Sequence, residues 1–196
     1  MKNKAKFGLG ALASAALIVA GLVVTPGAYA VGETDTESDT IGGEVKDVII
    51  IQTTGDVNIK ALPDAGGRIS SKSHDVIVST TSTGGYTLQA RSISPSSLMA
   101  NVNDPSTGFA AVSGTPLAPV ALGNDQWGFR LGAMPDLNNV SSTPYNFAGM
   151  TNANQTIKTA GAAVMGDVTK VNYAIKAKDL AVGLYTNEVL YTATAQ

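Results

Sequence analysis

The side chains that can do acid–base or metal chemistry are few and widely spaced in this chain. His74 is the only histidine, and there is no cysteine, which excludes thiolate zinc sites and thiol redox chemistry. The acidic residues of the predicted mature domain are scattered and single, among them Asp56, Asp75, Asp125, Asp136, Asp167 and Glu188. Glycoside hydrolysis needs two carboxylates in one cleft, and this spacing does not indicate such a pair. We therefore predict no catalytic residue, no metal ligand and no cofactor, and an exposed His74 without a chemical role.

Three aromatic residues are candidates for ligand contact without catalysis. Trp127 and Phe129 lie in the segment QWGF, and Tyr145 follows in a loop-rich stretch. An exposed tryptophan offers a flat platform to a sugar or a peptide, whereas a buried one belongs to the core of a β-sandwich. Because Trp127 is the only tryptophan, we favour the core position and keep the platform as the alternative.

The first thirty residues have the three-part layout of a bacterial secretory signal peptide. Three lysines come first, at Lys2, Lys4 and Lys6. The uncharged run Phe7–Val24 follows, and Ala28 and Ala30 stand at the −3 and −1 positions of a cleavage site before Val31. The run approaches the roughly 18–20 residues that span a bilayer, but its Gly/Ala content and the Pro-Gly break after it favour cleavage over a retained anchor. The predicted location is therefore secreted or extracellular, with cell-wall association as an option and no membrane span after cleavage.

The charge pattern argues against nucleic acid as a partner. Removal of the three lysines with the signal peptide leaves an excess of five acidic residues, and such a surface disfavours binding to nucleic acid. Residues 31–44 carry five carboxylates and no basic side chain, so we predict a flexible acidic leader there. Residues 45–196 are long enough to form one domain with a core of its own.

The rest of the chain alternates short apolar-periodic segments with turn residues. The predicted strands are 45–52, 56–62, 74–81, 85–92, 126–131, 171–177 and 184–195. Ser82-Thr83-Gly84 between the third and fourth predicts a hairpin. Residues 94–99 fit one helical turn, while 101–123 and 135–154 look like loops. About seven to nine strands and little helix predict an all-β fold, an antiparallel β-sandwich of immunoglobulin-like or jelly-roll-like type.

Three blocks of sequence carry a resemblance to a known group of proteins. They are VIVSTTSTGGYTLQARS, LGNDQWGFRL and TKVNYAIKAKDLAVGLYTNEVLYTATAQ, which together extend from Val76 to Gln196. They resemble exported bacterial β-sandwich surface proteins of Gram-positive-type envelopes, both WxL-like and pilin-like. The resemblance implies a sandwich fold and a place at the cell surface, and it implies no activity.

Two functional hypotheses follow from these observations. The first is a secreted, non-enzymatic, structural or adhesin-like surface protein, whose partners are envelope or host-surface proteins or glycans, or other copies of itself. Such copies could associate when the N-terminal strand 45–52 completes a neighbour's sheet, although we favour its pairing within its own sheet. The alternative is a soluble carbohydrate- or peptide-binding module that uses Trp127, Phe129 and Tyr145.

Overall fold

The computed structural model describes residues 46–196, which contain ten β-strands and no helix. In chain order they are β1 (Ile49–Thr53), β2 (Arg68–Thr80), β3 (Tyr86–Ser92), β4 (Met99–Asn101), β5 (Gly108–Ala111), β6 (Gln126–Leu131), β7 (Gln155–Ala160), β8 (Val164–Ala177), β9 (Tyr185–Thr186) and β10 (Val189–Ala195). The described residues belong to a compact unit, Glu44–Gln196. The predicted signal peptide, its cleavage site at Ala28, Ala30 and Val31, and the acidic leader 31–44 lie outside the described residues.

The strands form two sheets. The larger has the order β1-β2-β8-β6-β5-β4-β9, and the smaller has the order β10-β3-β7. The all-β, sandwich-like prediction is confirmed, with two differences. The strands number ten, and β5 and β6 run parallel because the chain crosses between them through the loop 112–125 instead of turning back directly. Residues 46–196 contain no helix, and therefore no helix that could cross a membrane.

The main core lies between the two sheets and follows from period-two alternation. In β3, Tyr86, Leu88 and Ala90 are buried, while Thr87 and Gln89 are more exposed. The facing residues of the larger sheet are also apolar, and they include Val76, Val78, Trp127, Phe129, Val171, Tyr173 and Ile175. Burial of such side chains contributes roughly 1.5–3 kcal/mol each, which is how this cysteine-free domain is stabilised.

A second, smaller core covers the outer face of the larger sheet. Ile69 of β2 and Ala174 of β8 contact Phe147, Met134 and Leu122, which come from the loops before and after β6. Val140 joins the edge of β2 by exchanging two backbone hydrogen bonds with Ile69. The loop predicted over 135–154 is therefore ordered by packing, although it contains only isolated bridges.

The predicted hairpin at Ser82-Thr83-Gly84 is wrong. Strand β2 pairs with β1 and β8, whereas β3 pairs with β10 and β7. The turn therefore carries the chain from one sheet to the other. Its geometry is held by the Ser82 hydroxyl, which donates to the carbonyl of Gln196 at 2.6 Å, and by the amide of Gly85, which donates to the carbonyl of Ser82.

The predicted final strand 184–195 is two strands. Tyr185–Thr186 pairs with β4 in the larger sheet, and Val189–Ala195 pairs with β3 in the smaller one. The break falls at Asn187, whose side-chain amide donates to the carbonyl of Leu98 at 2.9 Å and whose side-chain oxygen accepts from the Ser92 hydroxyl at 3.0 Å. Because these contacts hold Asn187 between the sheets, the chain changes sheet there.

The remaining differences concern segments of weak pattern. Residues 94–98 form bends that lead into β4 rather than a helical turn. The predicted loop 101–123 contains β5, and the sequence also did not indicate β4, β7 or the first halves of β2 and β8. The segment Asp56–Leu62 is extended without being a strand. Its Val57, Ile59 and Ala61 pack on the main core, yet among residues 46–196 none of its main-chain groups bonds to another strand.

Candidate functional site

Trp127, the first of the predicted ligand residues, lies in the core. It is 1% exposed, its indole ring stacks at 6.2 Å from the ring of Tyr173, and its Nε1 donates to the carbonyl of Ser97 at 2.9 Å. A side chain in that position cannot offer a face to a ligand. The favoured core interpretation is therefore confirmed, and the exposed aromatic platform at Trp127 is wrong.

Of the other two predicted residues, Phe129 lines a cleft that also contains Arg130, and Tyr145 contacts that arginine. Phe129 is 1% exposed and lines the cleft, whose volume is about 120 Å³. Tyr145 is half-buried, and its ring lies 5.1 Å from the guanidinium carbon of Arg130. Arg130 was not among the predicted residues, although the alternation in QWGFRL places it on the face opposite Trp127 and Phe129.

The acidic residues are dispersed, and half of those in residues 46–196 form ion pairs. Asp75 pairs with Lys170 at 2.7 Å, and Asp136 pairs with Lys72 at 3.6 Å. Asp125, at a backbone φ of 53°, accepts hydrogen bonds from the main-chain amide of Lys178. Among residues 46–196 no three acidic or histidine side chains come together as metal ligands would.

One ion pair joins the two sheets. Lys158 of β7 contacts a carboxylate oxygen of Asp167 of β8 at 2.5 Å, and the hydroxyl of Tyr86 in β3 donates to the other oxygen at 2.8 Å. Burial opposes ionisation of Asp167, but the hydrogen bonds from Lys158 and Tyr86 outweigh it and hold the pKa of that carboxyl below its usual value. Asp167 is therefore a charged link between sheets rather than an acid that can transfer a proton near neutral pH.

His74 is not exposed as predicted. It lies half-buried inside β2, where Nδ1 is 3.0 Å from the carbonyl oxygen of Gly55 and Nε2 is 2.8 Å from the hydroxyl of Tyr191. That hydroxyl lies 2.6 Å from the hydroxyl of Tyr173. This hydrogen-bonded chain connects β2, β8 and β10 across the sandwich, so the histidine has a structural role.

We expect the buried phenols to make the domain sensitive to alkali. Burial raises the pKa of Tyr173 to about 12, and burial raises the pKa values of Tyr191 and Tyr86 as well. An unfolded tyrosine loses its proton near pH 10, so the stability gained by keeping these phenols neutral is complete below pH 10. It is lost as the pH rises from about 10 through about 12, by up to about 1.4 kcal/mol per pH unit for each phenol.

This alkaline behaviour can be measured by following phenolate absorbance and β-sheet circular dichroism in one titration. The three phenols of Tyr86, Tyr173 and Tyr191 should ionise together with the loss of the sheet signal. A Tyr191→Phe variant should lose one of the late-ionising groups. Ionisation of every tyrosine near pH 10 with the sheet signal intact would contradict the prediction.

Within residues 46–196, the outer edge of β10 is an uninterrupted row of main-chain groups that no other strand pairs with. Glu188 and Gln196 hydrogen-bond to the neighbouring strand β3, so by alternation the even-numbered residues between them also pair inward. The amides and carbonyls of Val189, Tyr191, Ala193 and Ala195 therefore point away from the sheet. Strand β10 contains no charged residue and no proline.

The free edge of β1 lies on the same side of the sandwich as that of β10. The two strands come close without being hydrogen-bonded to each other. Val48 and Thr54 pair with β2 at either end of β1, so the main-chain groups of Ile49, Ile51 and Thr53 point outward. The side chain of Ile50 is 51% exposed. We call the edges of β1 and β10 together the open side.

The other two edge strands have features that discourage pairing. Strand β9 has only two residues. Strand β7 carries Lys158, and its register with β3 is interrupted between Leu88 and Gln89. Short length, lysine and irregular register are the devices by which natural sheets avoid contact between edges. The open side lacks all three, which makes it the candidate functional surface of the described domain.

Comparison of the chain with protein-family models, with curated proteins and with solved structures finds no match.

Proposed function

We propose that this chain is an exported, non-enzymatic structural protein of the bacterial cell surface, whose copies associate through the open side. The predicted signal peptide and the resemblance to surface sandwiches support the location. The dispersed acids and the structural role of His74 support a function by contact rather than by catalysis. The protein would be retained at the cell surface by non-covalent strand pairing between copies of the chain.

The observation that carries the proposal is the pair of unprotected edges. Exposed main-chain groups on an edge strand are a template for another strand, and an edge without charge or proline offers little resistance to pairing. Pairing along β10 alone would satisfy up to four outward residues, while a neighbour's β1 or β10 supplies the matching groups. Added strands of this kind bind by main-chain hydrogen bonds.

The position of the two edges favours a closed dimer over a fibre. Because β1 and β10 lie on the same side, contact between two open sides around a two-fold axis uses all the free groups of both copies. An open fibre needs complementary surfaces on different sides of the molecule, and the strands β7 and β9 elsewhere are protected. We therefore expect an antiparallel, edge-to-edge homodimer.

The proposal predicts that one proline disrupts the association without disrupting the fold. Ala193→Pro removes an amide that points outward, whereas the bonds from β10 to β3 use the residues on either side of it. Proline is tolerated on edge strands for this reason. In analytical ultracentrifugation, the chain from Val31 onward should sediment as a dimer, and the Ala193→Pro variant should sediment as a monomer with an unchanged β-sheet signal in circular dichroism.

Thr159→Pro is the matched control, because Thr159 has an outward amide on β7 at the opposite edge of the same sheet. This variant should remain dimeric. A wild-type chain that is monomeric at every concentration would overturn the proposed association, as would an Ala193→Pro variant that dimerises like the wild type. The location is tested separately, by detecting the chain in medium, wall and membrane fractions of its host.

The alternative, a binding module, keeps one supporting observation. The platform at Trp127 is excluded by its burial, but the cleft at Arg130 includes Phe129 and contacts Tyr145, two of the three residues that the sequence indicated. A module of this kind would recognise a small group rather than a long glycan.

A further inference from the structure

The Arg130 cleft has the composition of a small anion-binding site. It is lined by Pro116 and Pro119, by Phe129, Leu131 and Ala148, whose side chains belong to the main core, and by the polar residues Arg130 and Asn146. The attraction between a cation and a ligand's negative charge is stronger in apolar surroundings than it is when the cation is fully hydrated. The cleft therefore selects for negative charge at one point and for apolar surface around it.

Arg130 has no acidic partner among residues 46–196. Arg68, by contrast, pairs with Asp64 at 3.5 Å. Among residues 46–196 no carboxylate therefore competes with a ligand for the Arg130 guanidinium, which lines the cleft.

The surroundings of Arg130 hold its side chain in position. The ring of Tyr145 lies against the guanidinium at 5.1 Å, a cation–π contact. The facing wall is a turn in which Thr115 and Ala118 exchange two backbone hydrogen bonds at 3.1 Å, and its prolines have a fixed φ. A site that is ordered before binding loses less entropy when the ligand arrives.

We infer that this cleft binds the C-terminal carboxylate of a peptide whose last side chain is small and apolar. The guanidinium group can donate two parallel hydrogen bonds to a carboxylate, and Pro116 and Pro119 offer apolar surface to a methyl-sized side chain. The volume of about 120 Å³ is well below the roughly 300–1,000 Å³ of pockets that enclose whole ligands. It therefore fits the end of a chain.

A sugar acid fits the cleft less well. A sugar ring presents several hydroxyl groups, and each one needs a partner when it is buried. Only Asn146 supplies a second polar side chain, so most of those hydroxyls would lose hydrogen bonds to water without replacement. A peptide end with one charged group and one methyl group has no such deficit.

Isothermal titration calorimetry tests this inference on the chain from Val31 onward. The probes are N-acetyl-Ala-Ala with a free carboxylate, the same dipeptide as its C-terminal amide, and glucuronate. We expect the acid to bind and the amide and glucuronate not to bind. Arg130→Gln should weaken binding of the acid by about tenfold or more, because charge-assisted hydrogen bonds are lost.

Arg91→Gln is the matched control, since Arg91 lies on β3 of the other sheet and its substitution removes the same charge. This variant should bind the dipeptide like the wild type, and thermal unfolding of both variants checks that the fold is intact. Equal binding of acid and amide, binding of glucuronate alone, or no binding of any probe to the wild type would overturn the inference. The Ala193→Pro variant should bind the dipeptide unchanged, which separates this site from the open side.

Discussion

Replacing Trp127 by alanine is expected to lower the free energy of unfolding by about 3–5 kcal/mol. The side chain is 1% exposed and stacks on Tyr173 in the centre of the larger sheet, so its removal leaves a cavity that the paired strands around it cannot close. The carbonyl of Ser97 also loses the indole donor at 2.9 Å. Urea unfolding followed by circular dichroism measures the change directly.

Tyr145→Ala provides the comparison for this prediction. Tyr145 is half-buried at the edge of the second core, so its truncation should cost about 1 kcal/mol, the typical value for a point substitution. The two variants together separate a core aromatic from a surface one. A loss below about 1 kcal/mol in Trp127→Ala would contradict the position of that ring.

Gly85→Ala is expected to lower the free energy of unfolding by about 2–5 kcal/mol. Gly85 has a φ of +81°, and a Cβ atom there would collide with the carbonyl of Ala160 and the amide of Ala162. The left-handed conformation costs a residue with a Cβ about 1–2 kcal/mol, and forcing an atom into a packed site costs about 1–3 kcal/mol more. Because both obstacles are main-chain atoms, no side-chain rotation can relieve them.

Two other glycines make controls that separate the two contributions. Gly132 has a φ of +90° but open space around its Cα, and Gly161 has open space and an ordinary φ. Gly132→Ala should therefore cost only the conformational part, about 1–2 kcal/mol, and Gly161→Ala should be within about 0.5 kcal/mol of the wild type. Chemical unfolding of the three variants under one condition gives the order, and equal losses for Gly85→Ala and Gly132→Ala would refute the steric argument.

The sequence predicted best those elements whose burial alternates along a single strand. The segment Gln126–Leu131 is a strand with the predicted bounds, and β3 differs from its prediction by one residue. In β3 every second residue is buried, and in Gln126–Leu131 the large apolar residues Trp127 and Phe129 stand two positions apart, a period that is visible in the residue types alone. Strand β7 was missed because its outward residues and its single buried Ile157 give no such pattern.

Strand pairing was predicted less well, because the residues of a turn do not show whether the two strands that it joins belong to the same sheet. Ser82-Thr83-Gly84 has the composition of a hairpin loop, yet a hydrogen bond from Ser82 to the carbonyl of Gln196 fixes it as a crossing between sheets. That partner is distant in sequence. The break at Asn187 has the same cause, since its side chain bonds to residues near β3 and β4.

The candidate sites show the same limit. Trp127 and Phe129 could be assigned to the core from alternation, but the importance of Arg130 depends on Tyr145 and on the turn that contains Pro116 and Pro119. Those segments meet only in the fold. The open side was also not visible, because a free edge is defined by the strand that is missing beside it.

The order of the strands along the chain has a kinetic consequence. Strand β8, which lies between β2 and β6 in the larger sheet, is complete only at Ala177, and β10, the only partner of β3 besides β7, is complete only at Ala195. Neither sheet can therefore assemble during synthesis of the first three-quarters of the chain. Folding by such long-range pairings is slow, so most main-chain groups of both sheets are expected to stay unpaired until synthesis of the chain nears its end.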